Sequence, residues 1–270
     1  MKTKAAVASA LTFALTGSAA LSADMAIKAP APAYAPAAPS WSGPYLGVRG
    51  GWGWGTVDYT NLGGSAAGGT FGNVTVPFST NFGGVGRTAS HDADGGILGY
   101  VSGINWQTGN FVYGVEQTLS WSGIKGSTGN INLPVPPATV IPTGSFATKL
   151  KWYGTAESRL GMVFGNSMLY GKGGLAAGRI EVSGLRTSGT SNGDNFSQKD
   201  YRVGWTAGAG WDYMFSNNWV LGIEGNYVDL GKDHIAGQTI DALGRPGAGG
   251  YNEQVKFNFW DVVGRLTYKY

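Results

Sequence analysis

Charged side chains that recur at two-residue spacing are the part of this sequence with the clearest chemical potential. Glu157 and Arg159 are two residues apart, so both side chains leave the same face of an extended strand. In other extended segments, further acids and bases also occupy every second position of one face. We call these alternating positions the charged parity and those of the opposite face the apolar parity. The further members of the charged parity are Arg49, Glu116, Lys172, Arg202, Asp212, Glu224, Asp261 and Arg265. Opposite charges on one face can pair with one another, or can line a constriction that selects solutes. We expect an internal charge network and keep the constriction as the alternative.

Imidazole chemistry depends on two residues, His91 and His234. Asp92 and Asp94 are close to His91 in sequence, and Asp233 is next to His234. Both histidines fall in predicted loops that become neighbours if the last strand pairs with the first. This placement supports a hypothesis of metal or haem-iron capture, with solvated loop histidines as the alternative. No histidine lies on a predicted strand beside a serine or aspartate. We therefore predict no catalytic residue, no enzyme activity and no resident cofactor.

Two glycine-rich motifs do not predict nucleotide binding. The run from Gly51 to Gly55 is not followed by a helix pattern, which a dinucleotide fingerprint requires. Between Gly165 and Gly171 lie five residues where a phosphate loop has four, and Lys172 is not followed by Ser or Thr. The formal net charge is only +3, so the chain has no strongly basic surface for nucleic acid.

The composition argues against an ordinary water-soluble domain. Of 270 residues, 47 are glycine and 13% are charged, while 42% are hydrophobic and 13% aromatic. The charged fraction is about half the usual ~25%, and a soluble domain needs a more charged surface. The aromatic content is too high for a disordered chain. Because cysteine is absent, disulfides and thiolate metal sites are excluded. The composition indicates that something other than water covers part of the protein.

The N-terminal residues resemble a targeting segment in their layout. Residues 1–23 begin with two lysines and continue as an uncharged run with small residues, which predicts a signal peptide cleaved after Ala23 or Ala20. An uncleaved membrane anchor is the alternative. A Pro/Ala-rich tract within residues 24–43 cannot pair in a sheet or continue a helix, and we expect it to be an extended spacer before a domain over 44–270.

Period-two alternation is the main structural signal in the rest of the chain. Phe111, Tyr113 and Val115 alternate with Gly114 and Glu116, as in a strand with one apolar face and one polar face. The candidate strands are 44–57, 93–106, 111–122, 148–164, 168–182, 199–214, 219–229 and 255–270. Short connections (107–110, 165–167, 215–218) alternate with long ones (58–92, 123–147, 183–198, 230–254). This layout predicts an all-β, eight-stranded antiparallel up-and-down transmembrane β-barrel.

Aromatic residues on the apolar parity indicate whether that face contacts lipid or the barrel interior. One end of the strands carries Trp106, Phe111, Tyr113, Phe164, Trp211, Tyr213, Trp219, Tyr268 and Tyr270. The other end carries Trp52, Trp54, Trp121, Trp152, Trp205, Tyr227 and Trp260. A soluble barrel places its apolar parity inside, whereas two aromatic belts mark two membrane interfaces. The charged parity then fills a lumen only wide enough for its own side chains, which predicts a plug.

Several motifs resemble the outer-membrane immunogenic proteins of alphaproteobacteria, often called a porin family. The resemblance includes Trp41–Gly47 leading into Gly50–Gly55, Gly99–Tyr100, Asn105–Asn110 and Gly114–Glu116, and, in the second half, Trp152, Gly154–Thr155, Glu157, Arg159–Gly161 and Gly204–Gly210. The alternating C-terminus, with Leu266, Tyr268 and Tyr270, is similar to the signal read by the barrel-insertion machinery, although this family more often ends in Phe. The long loops match no motif of the family.

These observations predict a monomeric barrel in the outer membrane of a Gram-negative bacterium. We expect outer-membrane lipid, lipopolysaccharide and the insertion machinery as partners, and no nucleic acid. The expected role is structural, with loops displayed at the surface in an antigen-like manner. The alternatives are a narrow porin for small solutes, haem or metal capture by the outer loops, and a soluble periplasmic ligand-binding barrel.

Overall fold

The computed structural model describes residues 39–62, 69–71, 74–76, 88–128, 131–132, 143–188, 191–240 and 246–270. The predicted signal peptide and most of the predicted spacer lie outside these residues and stay predictions. In the part that is described, no helix is long and apolar enough to cross a membrane.

Eight long antiparallel strands form a closed ring. They are β1 Gly43–Asn61, β2 Thr88–Thr108, β3 Phe111–Ser122, β4 Thr143–Phe164, β5 Ser167–Ser188, β6 Ser191–Met214, β7 Trp219–Ile240 and β8 Pro246–Lys269. Each pairs with its neighbours in sequence, and β1 pairs with both β2 and β8. The predicted fold class is confirmed. Short segments at 125–127 and 131–132 pair along β4, and 69–71 pairs with 74–76.

Tight turns join the strands at one end of the barrel, called here the turn end. β2–β3 and β4–β5 are connected by two residues each, beginning with Gly109 and Gly165. Both glycines have a left-handed backbone, with φ of 60° and 61°, which side chains rarely adopt. Residues 215–218 connect β6 to β7. The predicted short turns are confirmed, and the opposite end is called the loop end.

The strands extend further toward the loop end than the sequence pattern predicts. β2 begins at Thr88 instead of residue 93, and β7 ends at Ile240 instead of residue 229. The prediction that His91 and His234 lie in loops is therefore wrong, because they belong to β2 and β7. Seven of the eight strands have 19 to 24 residues, and about 9–11 are enough to cross a bilayer. A large part of the wall stands beyond the membrane.

Toward the loop end, apolar and polar residues exchange faces of the strand, which explains why the predicted strands end too early. On β8, Arg265 and Asp261 face the interior, and further toward the loop end Phe259 and Phe257 occupy the same inward face. The outward face changes in the opposite sense, from exposed Trp260 and Val262 to polar side chains. The period of two continues, but apolar residues move from the outside to the inside. A pattern search that follows an apolar outer face stops where this exchange occurs.

Candidate functional site

The barrel interior contains a cluster of buried charged side chains, called here the charge network. It consists of Arg49, Glu116, Glu157, Arg159, Lys172, Asp212, Glu224, Asp261 and Arg265. Every member is at most 7% exposed. The structure thus brings together nine of the ten residues that the sequence placed on the charged parity.

Two carboxylates and two cations form the centre of the network. Lys172 Nζ lies 2.9 Å from Glu116 Oε1 and 3.0 Å from Glu224 Oε1. Arg265 Nη1 lies 2.9 Å from Glu116 Oε2 and 2.8 Å from Glu224 Oε2. Each cation bridges the same two acids. The pairs therefore satisfy one another across the lumen and hold β3, β5, β7 and β8 together.

The remaining cations extend this arrangement to the rest of the wall. Arg159 pairs with Asp212 at 2.8 Å, and its guanidinium carbon is 3.8 Å from the centre of the Tyr170 ring. Arg49 lies 3.3 Å from Glu224 and 3.4 Å from Asp261. Such contacts restrict both position and ring orientation, so the charges are held in place inside the barrel.

Neutral donors complete the network, because five carboxylates face four cations. Tyr45 Oη donates to Glu116 at 2.7 Å, and Tyr170 Oη donates to Glu224 at 2.9 Å. Tyr153 Oη donates to Asp261 at 2.6 Å, and the Asn226 amide donates to the same carboxylate at 2.7 Å. A buried network of this kind is favourable only when its members are satisfied.

The tyrosines of the network were missed by the sequence analysis, although a signal was present. Tyr45, Tyr153 and Tyr170 stand on the same parity as Arg49, Glu157 and Lys172, respectively. Phenol groups are donors with a large apolar ring, so a tyrosine on the charged parity of a narrow barrel indicates a partner for a carboxylate. Aromatic residues were assigned to the lipid face as a class, which concealed this signal.

Inward-facing glycines leave room for these side chains. A β-carbon at Gly222 would overlap the Asp212 carboxylate and lie 2.9 Å from Arg265 Cγ. A β-carbon at Gly210 would overlap the Tyr170 phenol. Part of the high glycine content therefore results from space in the lumen, where an added methyl group would force charged partners apart.

The turn end of the lumen is closed by Trp41, which precedes β1. Its side chain is 2% exposed and belongs to an apolar cluster with Val112, Val163, Met168, Tyr170, Met214 and Val220. The Trp41 backbone N–H donates to Gln107 Oε1 at 2.7 Å. The cavity left between Trp41 and Arg159 measures about 10 Å³, about the volume that one water needs. Trp41 thus acts as a stopper, although the sequence analysis assigned it to the spacer.

The loop end of the lumen is filled by a second apolar cluster, called here the apolar layer. Its members include Val57, Tyr59, Ile97, Phe146, Ile180, Leu230, Phe257 and Phe259. Arg202 lies in this region and not in the charge network, which corrects its predicted place. Arg202 Nη1 donates to the Val255 carbonyl at 2.6 Å, and Arg202 Nε lies 3.6 Å from Asp200. Water and ions inside the barrel would therefore have to cross an apolar region as well as the network.

The two histidines do not meet. His91 is 8% exposed and stacks on the Tyr59 ring with 5.5 Å between ring centres, whereas His234 is exposed on the outer face of the wall. Within the described residues, neither ring nitrogen of His91 has a hydrogen-bond partner, and no group of three or more His, Cys, Asp or Glu side chains could hold a metal ion. The structure does not bring His91 and His234 into one site.

The burial of His91 predicts a pH effect at the loop end. Burial lowers the pKa of the His91 imidazole below its ordinary value, and the nearby Asp92 carboxylate opposes this shift. A lowered pKa in the folded state means that stability is complete above the ordinary value and is lost as the pH falls below about 6.5. We expect amide exchange around Tyr59 and Phe257, corrected for intrinsic rates, to accelerate between pH 7 and pH 5.

Replacement His91→Phe should abolish this acid-dependent acceleration, because phenylalanine keeps the stacked ring but binds no proton. His234→Phe is the matched control, since that side chain is exposed, and it should exchange like the wild type at both pH values. An unchanged pH response in His91→Phe would contradict the assignment.

The aromatic belts lie on the outer face as predicted. At the turn end, Phe111 is 62% exposed and Phe164 58%; at the other level, Trp52 is 54% exposed and Trp260 52%. Leu266 and Tyr270 of the predicted insertion signal are also exposed, and the Tyr268 ring packs against Trp219 at 5.1 Å. Recognition by the insertion machinery stays a prediction.

Comparison with known proteins gives a consistent result. A family model described as "Outer membrane protein beta-barrel domain" matches residues 19–262. The 31 kDa outer-membrane immunogenic protein of Brucella melitensis biotype 1 is 32% identical over 265 residues, which cover 95% of this chain and 96% of the relative. The 25 kDa outer-membrane immunogenic protein of Brucella abortus biovar 1 is 26% identical over 215 residues, 78% of each chain.

Solved structures are more distant. The crystal structure of the outer membrane protease OmpT from Escherichia coli is 7% identical, with a TM-score of 0.48, and the alignment covers 84% of this chain and 97% of that one. This likeness is too distant to bear on fold or activity.

Proposed function

The chain belongs to the outer-membrane β-barrel family that includes the immunogenic outer-membrane proteins of alphaproteobacteria, and we propose that it acts there as a closed structural barrel. The protein is located in the outer membrane and has an antigen-like role at the surface. A soluble periplasmic ligand-binding barrel is excluded by this membership. In this role the barrel strengthens the outer membrane and supports surface loops without conducting solutes.

The filled interior is the observation that carries the proposal. Three successive levels obstruct the lumen: Trp41 at the turn end, the charge network in the middle and the apolar layer at the loop end. An eight-stranded barrel has room only for its own side chains. Salt bridges such as Arg265 to Glu116 at 2.9 Å span the lumen, and we expect them to close it to hydrated solutes at the middle level.

A non-enzymatic role is supported by the same residues. The two imidazoles lie on opposite faces of the wall, one buried without a polar partner among the described residues and one exposed. Two relatives that match most of the chain are named for their location and immunogenicity. Acids of the charge network are held by two or more partners each, so none of them is left as a free general base.

Conductance in a planar lipid bilayer tests the proposal. Full-length protein, shown to be folded by heat-modifiable gel mobility, should insert without discrete current steps, because no hydrated path crosses the lumen. A porin of known conductance in the same membrane serves as the positive control. Steps of one reproducible size in most insertions would favour the alternative of a narrow solute channel and would overturn the closed-barrel proposal.

A further inference from the structure

Basic side chains are concentrated on one side of the outer wall, on and beside β4, β5 and β6. Lys125, Lys149, Lys151, Arg179 and Lys199 all face outward there, and we call them the basic patch. Among the side chains described on β4 to β6 beyond the aromatic belt, Glu181 is the only outward-facing acid. It lies 3.4 Å from Lys151 and 3.6 Å from Arg179. Beside β4, the outward Asp94 of β2 lies opposite Lys125. Five cations therefore face Glu181 and Asp94, and the patch keeps a positive excess.

The pairing register places these charges in one row. Lys125 is directly opposite Lys149, Lys149 is opposite Glu181, and Glu181 is opposite Lys199. Like charges directly opposite each other on neighbouring strands are destabilising. Each of these two lysines has one acid opposite it on its other side, Asp94 and Glu181 respectively, and an anion lying between Lys125 and Lys149 would relieve the repulsion that remains.

The patch lies at the level where a membrane changes from hydrocarbon to headgroups. Arg179 is opposite Trp152 on β4 and opposite Tyr201 on β6. Its guanidinium carbon is 5.8 Å from the centre of the Tyr201 ring, which is 6.2 Å from the Trp152 ring. Since Trp and Tyr mark the headgroup level, Arg179 is at the depth of lipid phosphates, and the lysines stand just outside it.

A groove on the lipid-facing wall lies below the patch and is lined by residues of β2 to β6. Its volume is about 610 Å³. The floor consists of small or polar outward residues, Ser102, Gln117, Gly154, Ala156 and Ala177, and larger side chains such as Leu119, Leu175 and Val203 form its sides. On the opposite side of the barrel, exposed Trp52, Trp54 and Trp260 cover the wall.

We propose that the basic patch and the groove together bind one phosphorylated glycolipid of the outer leaflet, that is, the lipid A part of lipopolysaccharide. Phosphates of the headgroup are held by the lysines and Arg179, and an acyl chain occupies the groove. Charge complementarity and continuity with the lipid-facing wall favour this occupant. Away from the patch, on β1, β7 and β8, outward Lys232 and Lys256 are offset by outward Asp58 and Asp229, and Asp58 lies directly opposite Lys256, so that part of the wall has no comparable positive excess.

Native mass spectrometry of the full chain in detergent tests the proposal, with purified bis-phosphorylated lipid A as the probe. The double variant Lys149→Gln with Lys199→Gln should weaken lipid A binding about 25-fold, or about fivefold for each cation removed near a phosphate. Lys232→Gln with Lys256→Gln is the matched control, because it removes the same charge from β7 and β8, outside the patch, and should bind like the wild type. Ala156→Leu with Ala177→Leu fills the groove and should weaken binding without changing the charge.

The outcomes are distinct once each variant is shown to be folded by heat-modifiable mobility. Selective loss in the patch variant and in the groove variant supports the site. Equal loss in the patch variant and its control would mean unspecific attraction and overturns the proposal. Equal binding of lipid A from which both phosphates have been removed, or unchanged binding in the groove variant, overturns it as well. None of these results depends on whether the barrel conducts.

Discussion

Replacement of Arg265 by methionine is expected to lower the free energy of unfolding by about 3–5 kcal/mol. Arg265 is 2% exposed and bridges Glu116 and Glu224 at 2.9 and 2.8 Å. Methionine of similar length leaves Lys172 to pair with two carboxylates that repel each other inside the lumen. Urea unfolding of the protein in phospholipid vesicles, followed by tryptophan fluorescence, measures the loss.

Removal of one of the two acids should restore part of this stability. In the combination Arg265→Met with Glu224→Gln, the number of unpaired charges falls, and the loss should be smaller than in Arg265→Met alone. Lys256→Met is the surface control, because its side chain faces outward beyond the belt, and its effect should stay within about 0.5 kcal/mol. A loss below about 1 kcal/mol for Arg265→Met would show that water enters the lumen and hydrates the acids.

The second large effect is expected at the stopper of the turn end. Trp41→Ala should lower the free energy of unfolding by about 3–5 kcal/mol, the usual cost of removing a large buried aromatic side chain. The indole packs against Val112, Met168 and Val220, and the wall of the barrel cannot collapse into the space that it leaves. The same urea experiment in vesicles measures this loss.

Trp41→Phe tests whether packing of the ring accounts for the effect at this position. Among the described residues, the Trp41 Nε1–H has no hydrogen-bond partner, so phenylalanine removes an unsatisfied donor while keeping most of the ring. The variant should lose much less stability than Trp41→Ala. If both variants lost the same small amount, the N-terminal segment would leave the barrel mouth in solution, and Trp41 would not be a stopper.

Alternation of residue types along the strands was sufficient to predict much of this structure. A strand has a strict period of two, so the sequence shows both the number of long strands and the face to which Glu157, Arg159 and Lys172 belong. The tight turns at Gly109 and Gly165 follow from residue type and short spacing. A narrow interior then forces charges of that face into contact, which is why nine of ten predicted residues meet in one network.

Features beyond the membrane were not predictable in the same way. The alternation continues past Trp260 toward the loop end, but there the inward face is apolar, as Phe257 and Phe259 show. A search for one apolar outer face therefore ended the strands early and left His91 in a loop. Arg202 has the right parity for the network but stands too far along β6, where the depth in the barrel decides its partners.

Pairing of distant strands beyond the membrane also determines what an antibody would recognise on this protein. Lys125, Lys149 and Lys199 are far apart in sequence, yet the register brings them into one outward row. The outer wall therefore offers discontinuous epitopes, assembled only when the ring is closed. An antiserum raised against the unfolded chain would recognise single strands and their peptides and would miss these composite surfaces.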